Sequence, residues 1–375
     1  MRRRDGRLKL KRFANIDPIE QHTSLKQFKR WRQERIRKLR MKDYSFTVPN
    51  VEPDIAYLEN NRKWPSITWV GHSTFFIQFG GLNIITDPVW STQMAFQKRL
   101  SEPGIKVEDV PPIDIVLISH SHYDHLNINS LRRLIGTRQL LVPAGLGAKL
   151  RKKGFLRIKE LHWWESVMYN GVKFTFVPSQ HSTRRNPWDT NSSHWGGFII
   201  ERPASRSEKL VSRVREDSEG GDRGKSAAES RAQIASASEP AAARIRPFFS
   251  EQGSGERPVI SDFPTIYFAG DSGYFQGFKE IGRRFPVDVA LLPIGAYEPE
   301  WFMAPQHITP EQALQAFDDL DAKWFIPMHY GAFKLADDTP REALDRLEAE
   351  RRKRCIADDR ILVLPHGETW RLSGK

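Results

Sequence analysis

The chain has 375 residues, enough for one large domain or two of ordinary size, and its 39% hydrophobic content is typical of a globular protein. Its one cysteine, Cys355, excludes a disulfide framework and a cysteine-based zinc site, so a metal would need histidine and carboxylate ligands. The formal net charge of +12 indicates either a polyanionic partner or a solvated basic face.

The first 60 residues are predicted to form a basic N-terminal extension, followed by one domain over residues 61–375. Within the extension, "TSLKQFKRWRQERIRKLR" predicts a helix in which Ser24 and Gln27 have the spacing of a capping box. On a helical wheel its apolar residues fall within about 80° of one another, with Trp31 at the margin. These residues are Leu25, Phe28, Ile36 and Leu39. Such a helix either docks on its own domain or lies on an anionic membrane surface.

No apolar run reaches the roughly 18 to 20 residues of a membrane span, and the first residues lack the apolar stretch of a signal peptide. We therefore expect a cytoplasmic protein whose basic helix is able to contact the inner membrane surface. Nucleic acid is a less favoured partner, because no recognition domain or aromatic RNA-binding signature accompanies the positive charge.

From residue 66 the chain alternates short apolar strands with helical stretches, which predicts an α/β fold. Gly80 and Gly81 mark the turn of an early hairpin, so antiparallel pairing is added and the sheets are mixed. Residues 204–262 are rich in Ser, Ala, Arg, Glu and Gly and bury too little apolar surface to offset the entropy of ordering. We interpret them as a disordered insertion between two strands of one domain.

The segment "HSHYDHLN" places four potential metal ligands directly after the apolar strand "IDIVLI". In an extended segment alternate residues point the same way, so His120 and His122 are able to grip one metal. A turn at Tyr123 directs Asp124 and His125 toward a second position. Because a metal of this kind needs three or more protein ligands, other segments must supply the remainder.

Three further strands end in a metal-ligating residue. "FVPSQH" delivers His181, "IYFAGD" delivers Asp271 and "WFIPMH" delivers His329. A single histidine after a strand is usually a loop residue or a buried core histidine. Seven ligand-type residues in this arrangement instead predict that they converge at one rim of the sheets.

These residues carry a family resemblance. "HSHYDHLN" matches the HxHxDH signature of the metallo-β-lactamase superfamily, and the later ligand-type residues follow in the superfamily's order. The blocks "WVGHSTFFIQ", "TDPVWS", "FAGDSGY", "PIGAYEPEWFMAPQH" and "MHYGAF" resemble the family of N-acylphosphatidylethanolamine-hydrolysing phospholipases D and its bacterial relatives. The likeness runs from about residue 40 to the end of the chain, interrupted by the insertion.

The resemblance implies a four-layered αββα sandwich with the site at one edge, between two sheets. It implies that His120, His122 and His181 hold one zinc ion, and that Asp271 bridges both metals. The second zinc ion would be held by Asp124, His125 and His329. Two zinc ions sharing a hydroxide beside Asp271 and Asp124 suit the hydrolysis of a phospholipid phosphodiester, since together they supply a nucleophile and neutralise phosphoryl charge.

Several residues are candidates for support. His307 contacts the substrate phosphate according to the resemblance, or is a surface loop histidine. Asp87 either accepts a hydrogen bond from a ligand histidine or simply forms a turn before Pro88, and His72 is left unassigned. Five residues form either an apolar surface for an acyl chain or ordinary core: Trp163, Trp164, Trp301, Phe302 and Met303.

Other functions remain open at this point. The same metal site could serve a lactonase or phosphoesterase acting on a small soluble metabolite, because one fold hosts many reactions. A metal-bound scaffold without turnover is the non-enzymatic alternative, which the complete ligand set disfavours.

Overall fold

The structure is a computed structural model that describes residues 12–18, 25–39, 42–94, 97–203 and 263–372. The predicted insertion at 204–262 and the predicted capping residue Ser24 lie outside the described residues. Among the described helices, none has the length and apolar character needed to cross a membrane.

The first sheet has seven strands in the spatial order β15-β1-β2-β3-β6-β7-β8. Their bounds are β1 Ser66–Gly71, β2 Thr74–Phe79, β3 Leu82–Thr86, β6 Ile115–Leu117, β7 Gln139–Pro143, β8 Ile158–Leu161 and β15 Thr369–Arg371. Strands β3, β6, β7 and β8 pair in parallel, whereas β15, β1, β2 and β3 pair antiparallel. The predicted hairpin is confirmed: Gly80 and Gly81, with φ of 58° and 81°, connect β2 to β3, a backbone region that glycine enters without steric cost.

The second sheet has six strands in the order β14-β13-β12-β11-β10-β9. Their bounds are β9 Ser166–Tyr169, β10 Val172–Val177, β11 Gly197–Glu201, β12 Ile266–Phe268, β13 Val289–Pro293 and β14 Trp324–Met328. Strand β11 runs antiparallel to both of its neighbours, and β12, β13 and β14 are parallel. Consequently β10, β12 and β14 all point the same way. Apart from these sheets, β4 (Gln93–Met94) pairs antiparallel with β5 (Gln97–Lys98).

Helices cover the outer faces of both sheets. The described helices are α1 Leu25–Leu39, α2 Ile55–Asn60, α3 Ile128–Arg133, α4 Gly147–Arg151, α5 Gly277–Arg284, α6 Glu300–Met303, α7 Pro310–Asp319 and α8 Pro340–Lys353. Helices α2, α3 and α4 contribute Leu58, Leu131 and Leu150 to a core with the first sheet. Helix α7 packs on β13 and contacts α5 and α8. It begins at Pro310, after a capping box between Thr309 and Gln312.

The strands at the centre of the fold are buried. Strands β1, β2 and β3 contain no exposed residue, which a strand achieves only when both of its faces are covered. The mixed sheets and the four layers confirm the predicted αββα sandwich.

The N-terminal residues pack onto this body. In α1, the Trp31 ring stacks on Phe302 with 5.8 Å between centroids, and the Trp301 indole donates to Glu34 Oε2 at 2.8 Å. Farther along the chain, Val48 and Leu58 are almost completely buried. Of the two interpretations of the basic helix, docking on its own domain is therefore observed.

Candidate metal centre

The ligand-type residues emerge where strands of both sheets end. His120 follows β6 of the first sheet, whereas His181, Asp271 and His329 follow β10, β12 and β14 of the second. Because those three strands point the same way, their carboxyl ends lie at one edge of the sheet. The structure brings together all seven residues that the sequence predicted to be ligands; their role as ligands stays a prediction.

Three imidazoles form the first cluster, defined as His120, His122 and His181. His120 Nε2 lies 3.0 Å from His122 Nδ1, and His181 Nε2 lies 3.2 Å from the same nitrogen. Burial lowers the pKa of His120 and His181 well below the ordinary histidine value. Both rings are therefore neutral at pH 7, and each keeps a lone pair on one nitrogen.

Hydrogen bonds on the far side of each ring determine where that lone pair points. The carbonyl of Gln306 accepts from His181 Nδ1 at 3.0 Å, so Nε2 of His181 carries the lone pair. Ser119 donates its hydroxyl to Asp87, so His120 Nδ1, at 2.9 Å from Ser119 Oγ, must be the donor of that bond. Both Nε2 lone pairs consequently face the interior of the first cluster, as metal ligation requires.

Asp87 connects the two halves of the site. It is fully buried; its Oδ1 accepts from Ser119 N at 2.7 Å, and its Oδ2 lies 2.7 Å from His125 Nδ1. Of the two interpretations of Asp87, the acceptor for a ligand-type histidine is therefore observed. Burial raises the pKa of this carboxyl even though His125 and Ser119 favour its charged form.

The second cluster consists of Asp124, His125 and His329. Nε2 of His125 and Nε2 of His329 are 3.2 Å apart, and Asp124 Oδ2 lies 3.4 Å and 3.5 Å from them. Burial opposes a charge on His329, but Asp271 and Asp124 outweigh it and raise its pKa to about 9.

Asp271 stands between the clusters. Its Oδ2 lies 3.8 Å from His120 Nε2, 3.9 Å from His181 Nε2 and 3.2 Å from His125 Nε2. Its Oδ1 lies 3.1 Å from His329 Nε2. Burial disfavours the charged carboxyl, but His125 and His329 outweigh it and hold the pKa of Asp271 well below its ordinary value. A carboxylate in this position is able to face two cations at once.

The local backbone is strained at the site. His72, Asp87 and His329 adopt positive φ angles of 55°, 32° and 63°, and non-glycine residues in this region cost of order 1 to 3 kcal/mol each. Gly270 lets the two sheets approach, because a Cβ there would lie 2.5 Å from Ser119 Cβ. The close approach positions Asp271 opposite the HxHxDH segment.

His72 is a buried neighbour of the second cluster that the sequence left unassigned. Its Nε2 lies 3.2 Å from Asp124 Oδ2, and its carbonyl accepts from His329 N at 3.2 Å. Burial and His329 lower the pKa of His72 to about 3, so the neutral ring donates from Nε2 to Asp124. His72 thereby fixes the orientation of one carboxylate of the second cluster.

Asn15 is a residue of the site that sequence reasoning missed. Its Nδ2 donates to the His181 carbonyl at 2.8 Å, and its Oδ1 accepts from His181 N at 3.0 Å. The same oxygen accepts from the Trp195 indole at 2.9 Å. Nearby, Phe13 stacks on His194 at 4.5 Å. The segment 12–18 thus holds the backbone of a ligand-type histidine, and no local pattern around Asn15 indicates this.

Arg185 holds the HxHxDH loop from another side and was also missed. Its Nη1 donates to the carbonyls of Ser121 at 2.7 Å and Leu126 at 2.9 Å. The guanidinium lies 3.9 Å from the centroid of the Tyr123 ring. Its charge thereby compensates carbonyl dipoles that the turn leaves unpaired.

His307 lies at the mouth of the site. Its side chain is 13% exposed, and its Nδ1 lies 3.9 Å from Asp271 Oδ2. Burial lowers its pKa to about 4. The loop-surface interpretation of His307 does not account for this position. Potential ligand atoms of His181, Asp271 and His307 also lie within 4.8 Å of one another. The experiment on His307 below therefore measures metal content as well as turnover.

The other aromatic and histidine residues pack elsewhere. Trp163 donates to the Trp195 carbonyl and lies 4.1 Å from His194, and Trp164 lies under Arg284. For this pair the interpretation as ordinary packing is supported. His366 is fully buried, and His22 lies outside the described residues.

The donor set fits divalent metal. In each cluster, one potential ligand atom from each residue lies within 4.8 Å of the others, and imidazole with carboxylate is a donor set that zinc accepts. The buried carboxylate of Asp271 and the half-buried carboxylate of Asp124 lie beside His125 and His329, whose pKa values are raised. Bound cations would compensate these negative charges instead.

Known proteins resemble this chain. The family model for the beta-lactamase superfamily domain matches residues 82–208 and 257–330. An N-acyl-phosphatidylethanolamine-hydrolyzing phospholipase D 1 of Caenorhabditis elegans is 27% identical over 356 residues, which cover 89% of this chain and 82% of that protein. A metal-dependent hydrolase of Methanopyrus kandleri is 25% identical over 310 residues, 81% of this chain and 98% of its own.

A solved structure has the same fold. It is a metallo hydrolase from the archaeon Ignicoccus hospitalis, with a TM-score of 0.52 and 22% identity, and the match covers 83% of this chain and 99% of that one.

Proposed function

This chain belongs to the beta-lactamase superfamily and is a metal-dependent hydrolase, and from that premise we propose that it is a zinc-dependent phosphodiesterase of phospholipase D type. Its substrates would be phospholipids that resemble N-acylphosphatidylethanolamine, for which the Caenorhabditis elegans relative is named. We propose two zinc ions, one in each cluster.

One observation carries the proposal. Asp271 lies between the clusters: its Oδ2 is within 4 Å of His120 and His181 and 3.2 Å from His125, and its Oδ1 is 3.1 Å from His329. His307 stands at the mouth. A phosphodiester needs charge neutralised on two sides of phosphorus and a polar group for a phosphoryl oxygen. Two adjacent cation positions with a neighbouring neutral imidazole meet both needs.

A pair of zinc ions, when bound, supplies a water of lowered pKa and neutralises charge on the phosphoryl oxygens. The protein residues do the remainder. His307, neutral at pH 7 because its pKa is lowered to about 4, donates an N–H to a phosphoryl oxygen. Asp271 and Asp124 accept hydrogen bonds from the attacking water and orient it, and Asp87 with Ser119 keeps the histidine rings in position.

His307→Ala is expected to lower turnover of a phosphodiester by about 10- to 100-fold, the value of one hydrogen bond to a charged group. Metal content, measured by elemental analysis, should stay at the wild-type level, because the proposal assigns His307 to substrate. His162→Ala, an exposed histidine, serves as the control. A fall in bound metal in His307→Ala would make this residue a ligand.

The activity itself is tested by metal analysis combined with a substrate screen. Protein purified without chelators should contain close to two zinc ions per chain and hydrolyse a phosphodiester in preference to a lactone or RNA. Rates should rise when the phosphodiester is presented in vesicles rather than as monomers. Preference for the lactone would instead support the alternative function, a lactonase acting on a small metabolite.

We also propose that α1 contacts anionic lipid. Its docked side carries Trp31, Glu34 and Arg35, the last of which pairs with Asp337 at 3.2 Å. The opposite side leaves Lys29, Arg32 and Ile36 exposed, and Ile36 is 55% exposed. The other apolar residues of the predicted stripe, Leu25, Phe28 and Leu39, have side chains outside the described part. Cations beside an apolar residue suit an anionic bilayer.

Charge reversal on this side is the appropriate test, because deletion of residues 1–42 would also remove Asn15 from the metal centre. The variant K29E/R32E should bind vesicles containing phosphatidylglycerol at least about tenfold more weakly, since each cation contributes about 1 kcal/mol near such a surface. Co-sedimentation measures it, and K152E/K153E, in the exposed turn after α4, is the control. Equal binding by both variants would exclude α1 from the lipid contact.

A further inference from the structure

A tryptophan is exposed on a turn that contacts the HxHxDH loop. Residues 184–189, "RRNPWD", form a turn between His181 and β11, and we name it the rim turn. Trp188 within it is 81% exposed. An indole this exposed leaves a large apolar surface in contact with water. A binding partner that covers the indole would bury that surface.

Hydrogen bonds hold the rim turn in one shape. Asp189 Oδ1 accepts from the backbone N–H groups of Arg185 and Asn186, each at 2.9 Å. Its Oδ2 pairs with Lys149 Nζ at 2.9 Å, and Asn186 Oδ1 accepts from Trp188 N at 3.0 Å. The exposed indole is therefore presented by a braced turn, and contact through it costs little ordering entropy.

The rim turn is joined directly to the HxHxDH loop. Arg185 donates from Nη1 to the carbonyls of Ser121 and Leu126, and the Tyr123 hydroxyl donates to the Arg185 carbonyl at 3.1 Å. Tyr123, between His122 and Asp124 in the sequence, is 54% exposed. The turn that carries Trp188 and the exposed Arg184 is thus bonded to the loop that carries His120, His122, Asp124 and His125.

We propose that the rim turn contacts the surface of a phospholipid aggregate, with Trp188 in the boundary between headgroups and acyl chains. Tryptophan and tyrosine favour this boundary, because an apolar ring and a polar N–H or O–H are satisfied there together. Arg184 supplies a cation for lipid phosphate. This inference rests on the proposed phospholipid substrate and adds how the metal centre reaches a substrate that stays in its aggregate.

The test compares Trp188→Ala with Leu156→Ala in the full-length protein. Leu156 is a matched control, since it is 83% exposed and precedes β8. Because β8 runs parallel to β6, Leu156 lies at the end of these strands opposite to His120. Trp188→Ala should bind vesicles of phosphatidylcholine and phosphatidylglycerol in equal parts about tenfold more weakly in co-sedimentation. Hydrolysis of phospholipid in these vesicles should fall in proportion, while hydrolysis of a soluble aryl phosphodiester and metal content stay at wild-type levels.

Each outcome bears on the contact separately from the activity. Vesicle binding by Trp188→Ala equal to that of Leu156→Ala would overturn the proposal, and so would equal losses on vesicle and soluble substrates, which would make Trp188 a contact for single substrate molecules. Because binding is measured without turnover, wild-type protein that binds vesicles through Trp188 but cleaves no phospholipid would contradict the proposed function alone. The tryptophan fluorescence of the wild-type protein should change when vesicles are added. Loss of this change in Trp188→Phe but not in Leu156→Ala would support the same contact.

Discussion

Asp271→Asn is expected to lose at least about 100-fold in turnover of a phosphodiester and to retain less than the wild-type amount of metal. The substitution keeps the size of the side chain but removes the charge that lies 3.2 Å from His125 Nε2 and 3.1 Å from His329 Nε2. Charge stabilisation by a metal pair is worth several kcal/mol, and 1.36 kcal/mol corresponds to one factor of ten in rate. Initial rates and elemental analysis of the same preparation measure both effects.

Asp288→Asn is the matched control for this variant. Asp288 precedes β13, so it lies at the opposite end of the second sheet from Asp271, and its carboxylate accepts a hydrogen bond from Thr265 N at 2.8 Å. We expect its metal content and rate to equal those of the wild type. Full activity in Asp271→Asn would remove the bridging carboxylate from the proposed chemistry.

Asn15→Ala is expected to weaken metal binding by the first cluster by about 10- to 100-fold, the effect typical of removing a group that orients a metal ligand. The substitution leaves the buried N–H and C=O of His181 without their partner, and each unpaired buried group costs about 1 to 3 kcal/mol. Competition with a chelator in cobalt-substituted protein measures the affinity, and the absorption spectrum of the cobalt reports the geometry around His181.

Two further variants separate positioning from general stability. Asn15→Asp keeps the acceptor but turns an oxygen toward the His181 carbonyl, so its metal affinity should fall at least as far as that of Asn15→Ala. Asn60→Ala removes a side chain whose amide donates to the Ala56 carbonyl within α2, and its metal affinity should be unchanged. If Asn15→Ala keeps both metals and full rate, the N-terminal contact only supports packing.

In helix α1, the local sequence predicted the helix itself, whereas tertiary packing determined which of its sides is buried. Its period and charge predicted a helix, and a helix is present at Leu25–Leu39. The helical wheel, however, put Trp31 at the margin of the apolar stripe, whereas Trp31 is a docked residue and Ile36 is exposed. The domain surface determines which side of α1 docks, because Trp301 and Asp337 make polar contacts with Glu34 and Arg35.

The sequence by itself determined the hairpin at Gly80 and Gly81, the αββα fold through its family signature, and the seven ligand-type residues. The hairpin and the ligand-type residues follow from local rules, because turn chemistry and a residue's position at a strand end depend on neighbouring residues. Local patterns predicted only an α/β fold with mixed sheets, and the sandwich was implied by the family resemblance. Only the tertiary structure decided which groups orient the site. Asn15 meets His181 across 166 residues and Asp87 meets His125 across 38. Such contacts depend on how the two sheets and the N-terminal segment pack together. No short-range sequence pattern specifies contacts between residues so far apart in the chain.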